Sequence, residues 1–229
     1  MADKFDLDAG LFMHVRHACS AQAVRVYLEA VLVEPHPERG CLMVATDGRV
    51  MLVAHDTSAS APRAALVRLQ MCEDATDDPE RDEWDDHLPT PTFDGSRLEF
   101  TLDGDAPALA TVSQSWCPGW RRGVIEEVCE ARKYPDWRRV FSGRGGGVKA
   151  PQPPYNSSAL DAEIIARVSA GRAVRIMQPE APGGPSRLYF DDRPSLSGLI
   201  MPRHATIRAP DFELEIIKSA SASQDEGAP

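Results

Sequence analysis

Tyr134-Pro135-Asp136-Trp137-Arg138-Arg139-Val140 lies between a predicted strand and a glycine-rich run at residues 142–147. Pro135 fixes its own φ and drives Tyr134 toward extended backbone. Two aromatics, one aspartate and two arginines within seven residues predict a rigid corner with strong anchors. By itself this also fits an ordinary domain-end turn with a solvated arginine pair. Two further stretches bear on the choice: Ala45-Thr46-Asp47-Gly48 and Leu199-Ile200-Met201-Pro202-Arg203.

Working outward, residues 41–46 and 49–55 are apolar runs joined by Asp47-Gly48, a strong local hairpin signal. Residues 28–34 alternate and are rich in branched side chains, which predicts the strand before them. Residues 11–27 follow the 3.6 period through Phe12, Val15, Ala18 and Val26 and predict a helix. The first unit therefore reads as a helix and three antiparallel strands. A second Asp-Gly hairpin, Asp103-Gly104, joins strands at 97–102 and 108–113. Residues 64–71 are a helix candidate ahead of that hairpin, and residues 116–120 (WCPGW) a tight corner. A third unit has an amphipathic helix at 159–168, with N-caps offered at 155–158, then strands at 173–178, 187–191 and 197–201. Residues 207–217 offer one more. Three helix-then-strands units predict an α+β repeat.

Residues 73–86 hold nine acidic residues against Arg81 alone. Such a run repels itself, so it is expected to be a solvated or disordered insertion. It lacks the spacing of a calcium loop.

The 229-residue chain has 42% hydrophobic and 26% charged residues, the profile of a globular protein with a real core. A net charge of -10 excludes a uniformly basic nucleic-acid binder but leaves room for a local basic face. Five scattered cysteines (Cys19, Cys41, Cys72, Cys117 and Cys129) show no zinc spacing and read as reduced thiols. No secretion signal or membrane-spanning run is evident, so a cytoplasmic protein is expected. No nucleophile elbow, phosphate loop or dinucleotide fingerprint supports an enzyme, and neither a cofactor nor a metal is expected.

The three stretches together resemble the bacterial DNA polymerase sliding clamp, the beta subunit of the replicative polymerase. Val44–Gly48 resembles the family's V-A-T-D-G turn, residues 134–140 its F-P-D-Y-R-R-V junction, and residues 199–203 its terminal V-V-M-P-M run. Departures follow at Arg49-Val50-Met51 and at Arg203-His204-Ala205. The resemblance implies a DNA-clamp fold of helix-plus-strand half-units, sheets outside and helices inside. It implies a clamp-like domain at 1–141, a linker at 142–150, a partial second domain at 151–218 and a disordered tail at 219–229.

In that family these stretches form a pocket for short partner peptides. Carried over, Leu28, Thr46, Gly48, Met51, Pro135, Arg139, Val140, Leu199, Met201 and Pro202 would line it. Thr46 and Arg139 would orient the peptide by hydrogen bonds. Arg16, Arg25, Arg63 and Arg68 would be the DNA-facing cations of inner helices. The implied partners are DNA polymerase and other clamp-binding proteins, with duplex DNA if a homo-oligomeric ring forms. A tetramer closes such a ring from three half-units per chain, and a trimer from two domains per chain. The other expectation is a homologue that binds clamp-binding peptides without encircling DNA.

Overall fold

A computed structural model describes residues 2–20, 25–72, 93–104, 106–113, 122–141, 160–177 and 184–202. The expectations for residues 73–86, 116–120, 142–150, 155–158 and 207–229 lie outside these.

The described strands form one antiparallel sheet of eleven. In chain order they are β1 (Asp3–Asp8), β2 (Val31–Pro35), β3 (Cys41–Thr46), β4 (Val50–Asp56), β5 (Ala65–Cys72), β6 (Arg97–Leu102), β7 (Ala108–Ser113), β8 (Arg122–Cys129), β9 (Val174–Met177), β10 (Ser186–Phe190) and β11 (Leu196–Ile200). Their order across the sheet is β1-β6-β7-β8-β5-β2-β3-β4-β11-β10-β9. The third unit therefore joins the first through a ladder in which Leu199 faces Met51.

Helices α1 (Ala9–Arg16) and α3 (Ala162–Ser169) pack on one face. There Phe12, Val15, Ile164 and Val168 share a core with Phe5, Leu98, Ile125 and Leu188. The short helix α2 (Trp137–Phe141) covers part of the other face, over Leu32, Val44, Met51, Leu66 and Leu199. Among the described residues no helix is long and apolar enough to cross a membrane.

Three sequence expectations are corrected. The helix expected at 11–27 is α1 alone, started by Asp8, whose carboxylate accepts the Leu11 N–H at 2.7 Å. After Arg16, bonds spanning three residues tighten the chain at His17, Ala18 and Cys19. A 3-10 turn at Val26–Glu29 follows, so the next strand begins at Val31 rather than 28.

The helix expected at 64–71 is the strand β5. Val67 and Leu69 face the α1 side, while Leu66 faces α2. A strand buried on both faces loses its alternation, so a continuous apolar run imitates a helix. The second unit thus begins with a strand, and among its described residues the helical segments, a turn at Ala131–Lys133 and α2, follow its strands.

The third correction is β1, which lacked a sequence assignment. Its Lys4-Phe5-Asp6-Leu7-Asp8 pattern buries Phe5 and Leu7 and turns Lys4, Asp6 and Asp8 to the other face. The remaining strands agree with the reading to within two residues.

Charged clamps fix the ends. Arg97 donates to Asp6 at 2.7 Å and to Asp56 at 3.2 Å. The buried Asp56 also accepts the Asp8 N–H at 2.7 Å and two bonds from Ser58. Burial raises its pKa, but the Ser58, Asp8 and Arg97 interactions outweigh that and leave it lowered. Helix α3 begins at Asp161, whose side chain accepts the Glu163 N–H at 3.1 Å. It ends at Ala170 in the left-handed region, φ 49°. That conformation suits glycine. Ala170→Gly is expected to stabilise the protein by about 0.5–1 kcal/mol, after allowing for the looser unfolded chain. A urea midpoint that falls in this variant would contradict the strain.

Candidate partner-binding groove

The site is built from the β3–β4 turn outward. Thr46 Oγ1 donates to the Val50 carbonyl at 2.7 Å and accepts the Gly48 N–H at 3.0 Å. Asp47 Oδ1 accepts the N–H groups of Arg49 and Val50 at 2.8 and 3.0 Å. Gly48 sits at φ 89°, which only glycine adopts freely. The turn is held from α3 as well: Arg167 donates to Asp47 at 2.5 Å, and Arg49 lies 4.0 Å from Asp161. The Thr46 hydroxyl is therefore engaged within the turn and not directed outward as a ligand donor.

The turn leads into β4, whose Met51 faces Leu199 of β11. Both are buried, and both lie under Tyr134 and Trp137. The junction at 134–141 is thus a lid of aromatics laid on the sheet. The Tyr134 hydroxyl donates to the Val44 carbonyl at 3.4 Å, and its burial pushes its pKa above the usual range. Trp137 meets Phe141 edge-on at 6.1 Å, and the Arg138 guanidinium lies 4.5 Å over the indole. Arg138 in turn donates to Glu34 at 2.5 Å. Phe141 is tied to β10, where Arg187 covers its ring at 5.4 Å and donates to its carbonyl at 3.2 Å. Trp137 Nε1 is buried with no acceptor among the described residues.

Of the residues expected to line a pocket, Thr46, Met51 and Leu199 are buried. Gly48, Pro135, Arg139, Val140 and Met201 are exposed, while Leu28 and Pro202 are half-buried. The three distant stretches do meet on the α2 side of the sheet. Leu28 lies outside the apolar cluster there, and its neighbour Tyr27 packs against it instead. The sequence reading missed Tyr27, Val44, Trp137 and Phe141. The signal for the last two was their i, i+4 spacing in a segment read as a corner.

The expected DNA-facing cations are separated. Arg16 is on α1 and Arg25 precedes the 3-10 turn. Arg63 and Arg68 lie just before and within β5, not on a helix. Arg63 donates to Asp3 at 2.6 Å and to both Glu127 oxygens, and Arg68 is bound by Glu126 and Glu29. Arg68 has the parity of Leu66, so it points to the α2 side, away from α1 and α3. A shallow depression beside Arg63 is lined by Glu127, Val128, Cys129, Glu130 and Lys133, apart from the groove. Among the described residues no cluster of three His, Cys, Asp or Glu side chains could hold a metal ion.

No family model matches the sequence. No curated protein matches it either. Solved structures do. The DNA polymerase sliding clamp of Pseudomonas aeruginosa, crystallised with a ligand, superposes with a TM-score of 0.53 at 14% identity, over 89% of this chain and 66% of that one. A sliding clamp (DNA polymerase III subunit beta) of Bartonella birtlesii bound to griselimycin gives 0.51 at 10% identity, over the same shares. This chain therefore spans just under two thirds of the length of those clamps. The large antiparallel sheet with few helices has the fold of the sliding clamps, at strongly diverged sequence.

Proposed function

We propose that this protein is a clamp-like, non-enzymatic binding protein that holds short peptides of DNA polymerase or other clamp-binding partners on the α2 side of its sheet. The convergence of the Thr46–Met51 turn, the 134–141 junction and the end of β11 on a sliding-clamp fold carries this reading. Val140 and Met201, exposed beside the Tyr134 and Trp137 lid that covers Met51 and Leu199, suit an aliphatic or aromatic anchor. Arg139 on α2 would orient a peptide carboxylate or carbonyl, with Thr46 shaping the turn rather than binding. Met201→Asp or Arg139→Ala is expected to weaken binding of a Gln-and-Leu-Phe peptide by about tenfold or more, roughly 1.4 kcal/mol. Fluorescence anisotropy measures it; unchanged affinity in both variants removes the assignment.

A second reading is a homo-oligomeric ring around duplex DNA. It is favoured by the two ends of the sheet, since β1 and β9 each pair with one strand in the described structure. In that ring α1 and α3 would face the DNA, with Arg16 as the leading contact and Arg25 nearby. Against it, the exposed residues of α3 are Ala162, Glu163 and Ala166, and its Arg167 is bound to Asp47. Light scattering over a concentration series decides. A trimer or tetramer favours the ring, and a monomer favours the peptide-binding protein alone.

A further inference from the structure

The groove has an apolar rim that no described residue covers. Val140 is 42% exposed and Met201 43%, on a face otherwise closed by Tyr134 and Trp137. The rim is also cationic: the Arg49 side chain is 69% exposed, and Arg138 and Arg139 face solvent beside Val140. The chain itself leaves from this point. Met201 N–H donates to the Arg49 carbonyl at 2.8 Å, so β11 delivers Pro202 to the groove, and residues 203–229 continue from there.

Those residues contain Asp211-Phe212-Glu213-Leu214-Glu215-Ile216-Ile217. In an extended chain, side chains alternate between faces. Phe212, Leu214 and Ile216 then form one apolar edge, and Asp211, Glu213 and Glu215 the other. This complements the exposed Val140 and Met201, with the exposed side chains of Arg49, Arg138 and Arg139 on the same side of the sheet. The stretch from Pro202 to Phe212 can reach about 33 Å, enough to double back over several strands spaced about 4.8 Å apart.

We infer that residues 211–217 occupy the groove of their own chain, so that the tail competes with partner peptides. The inference rests on the groove reading above. Tethering makes a weak fit sufficient. At an effective concentration of about 1 mM, a tail that binds with a dissociation constant of about 100 µM occludes the groove about tenfold. A partner must then displace the tail, which sets an affinity threshold for binding.

The test uses the full chain and two labelled probes: a synthetic peptide of residues 207–218, and a Gln-and-Leu-Phe clamp-binding peptide. The double variant Phe212→Asp/Leu214→Asp should bind both probes about tenfold more tightly than the unaltered protein. Adding Met201→Asp should abolish the gain. Equal affinity of the unaltered and double-variant chains for the clamp-binding peptide overturns the tail inference and leaves the groove reading standing. Failure of that peptide to bind either chain overturns the groove reading itself. Undiminished binding of the tail peptide after Met201→Asp places its site elsewhere and overturns the inference. A double variant that falls from dimer to monomer shows the tail acting between copies, and overturns occupancy within one chain.

Discussion

Gly198→Val is expected to separate the third unit from the first. Gly198 lies on β11 opposite Leu52 of β4, in the ladder that joins the two units. A Cβ there would come within 2.7 Å of the Met51 carbonyl oxygen and 2.6 Å of Leu52 Cδ2. Real Cβ atoms do not approach that closely. The leucine can turn away, but the carbonyl belongs to the ladder and cannot. Relief therefore requires β11 to move off β4, losing hydrogen bonds and the Met51–Leu199 contact together. The expected cost is about 3 kcal/mol, the upper range for overpacking a well-filled site. Urea unfolding should show either a lower midpoint or a new early transition as β9, β10, β11 and α3 release. An unchanged single transition would mean that the ladder tolerates a side chain. The groove should fail with it, because its floor spans the same two strands.

Acid should weaken the protein through His14, well above the range where its carboxylates protonate. His14 is buried on α1. Its Nε2 lies 2.8 Å from the Val168 carbonyl at the end of α3, and its ring meets Phe190 edge-on at 4.8 Å. Nε2 is the donor to that carbonyl, and burial keeps the ring neutral. Burial lowers its pKa to about 4; the Val168 bond opposes this, while Arg193, His17 and Arg172 add to it. The sign follows from proton binding. Between pH 6.5 and about 4 the unfolded histidine is protonated and the folded one is not, so stability falls as pH falls. The contribution is complete above pH 6.5, and about 3 kcal/mol is lost by pH 4. His17 is shifted the same way, by burial first and then by Arg16 and Arg167, and adds to the loss below pH 6.5. Asp56 behaves differently: its lowered pKa places its loss below 3.8. Unfolding free energies at several pH values, compared with His14→Phe, isolate the histidine. The variant should lose most of the slope between pH 4 and 6.5. A variant as acid-sensitive as the parent would assign the slope to other groups.

The hairpins were legible because Asp-Gly turns and alternating strands are local signals, as at residues 41–55 and 97–113. Helix α3 was legible because Ile164 and Val168 are one turn apart, although its cap is Asp161 and not a residue of 155–158. Strand β5 was not, because burial on both faces erased its period. The end of α1 was not, because Ala18 remains buried after the helix has stopped and so continues the apolar pattern. At the candidate site, the turn and the end of β11 could be named from sequence, but their meeting depends on the β4–β11 register. That register pairs Val50 with Ile200, and no local pattern encodes it. The ion pairs of Arg63 and Arg68 were hidden for a related reason. A cation's partner across a sheet, such as Glu127 for Arg63, is invisible until the strands are paired.

The pairing of β1 with β6 also bears on how the chain is made. Asp3 faces Leu102 and Phe5 stacks on Phe100, with ring centroids 4.8 Å apart. On the ribosome β1 therefore waits for about a hundred further residues before its partner exists. At roughly 5–20 residues per second that is several seconds or more. Throughout it Phe5 and Leu7 have no native cover, and ring closure over so long a loop is intrinsically slow. Lys4, Asp6 and Asp8, which alternate with them, keep this waiting strand charged and soluble. Their value lies in the nascent chain as much as in the finished sheet.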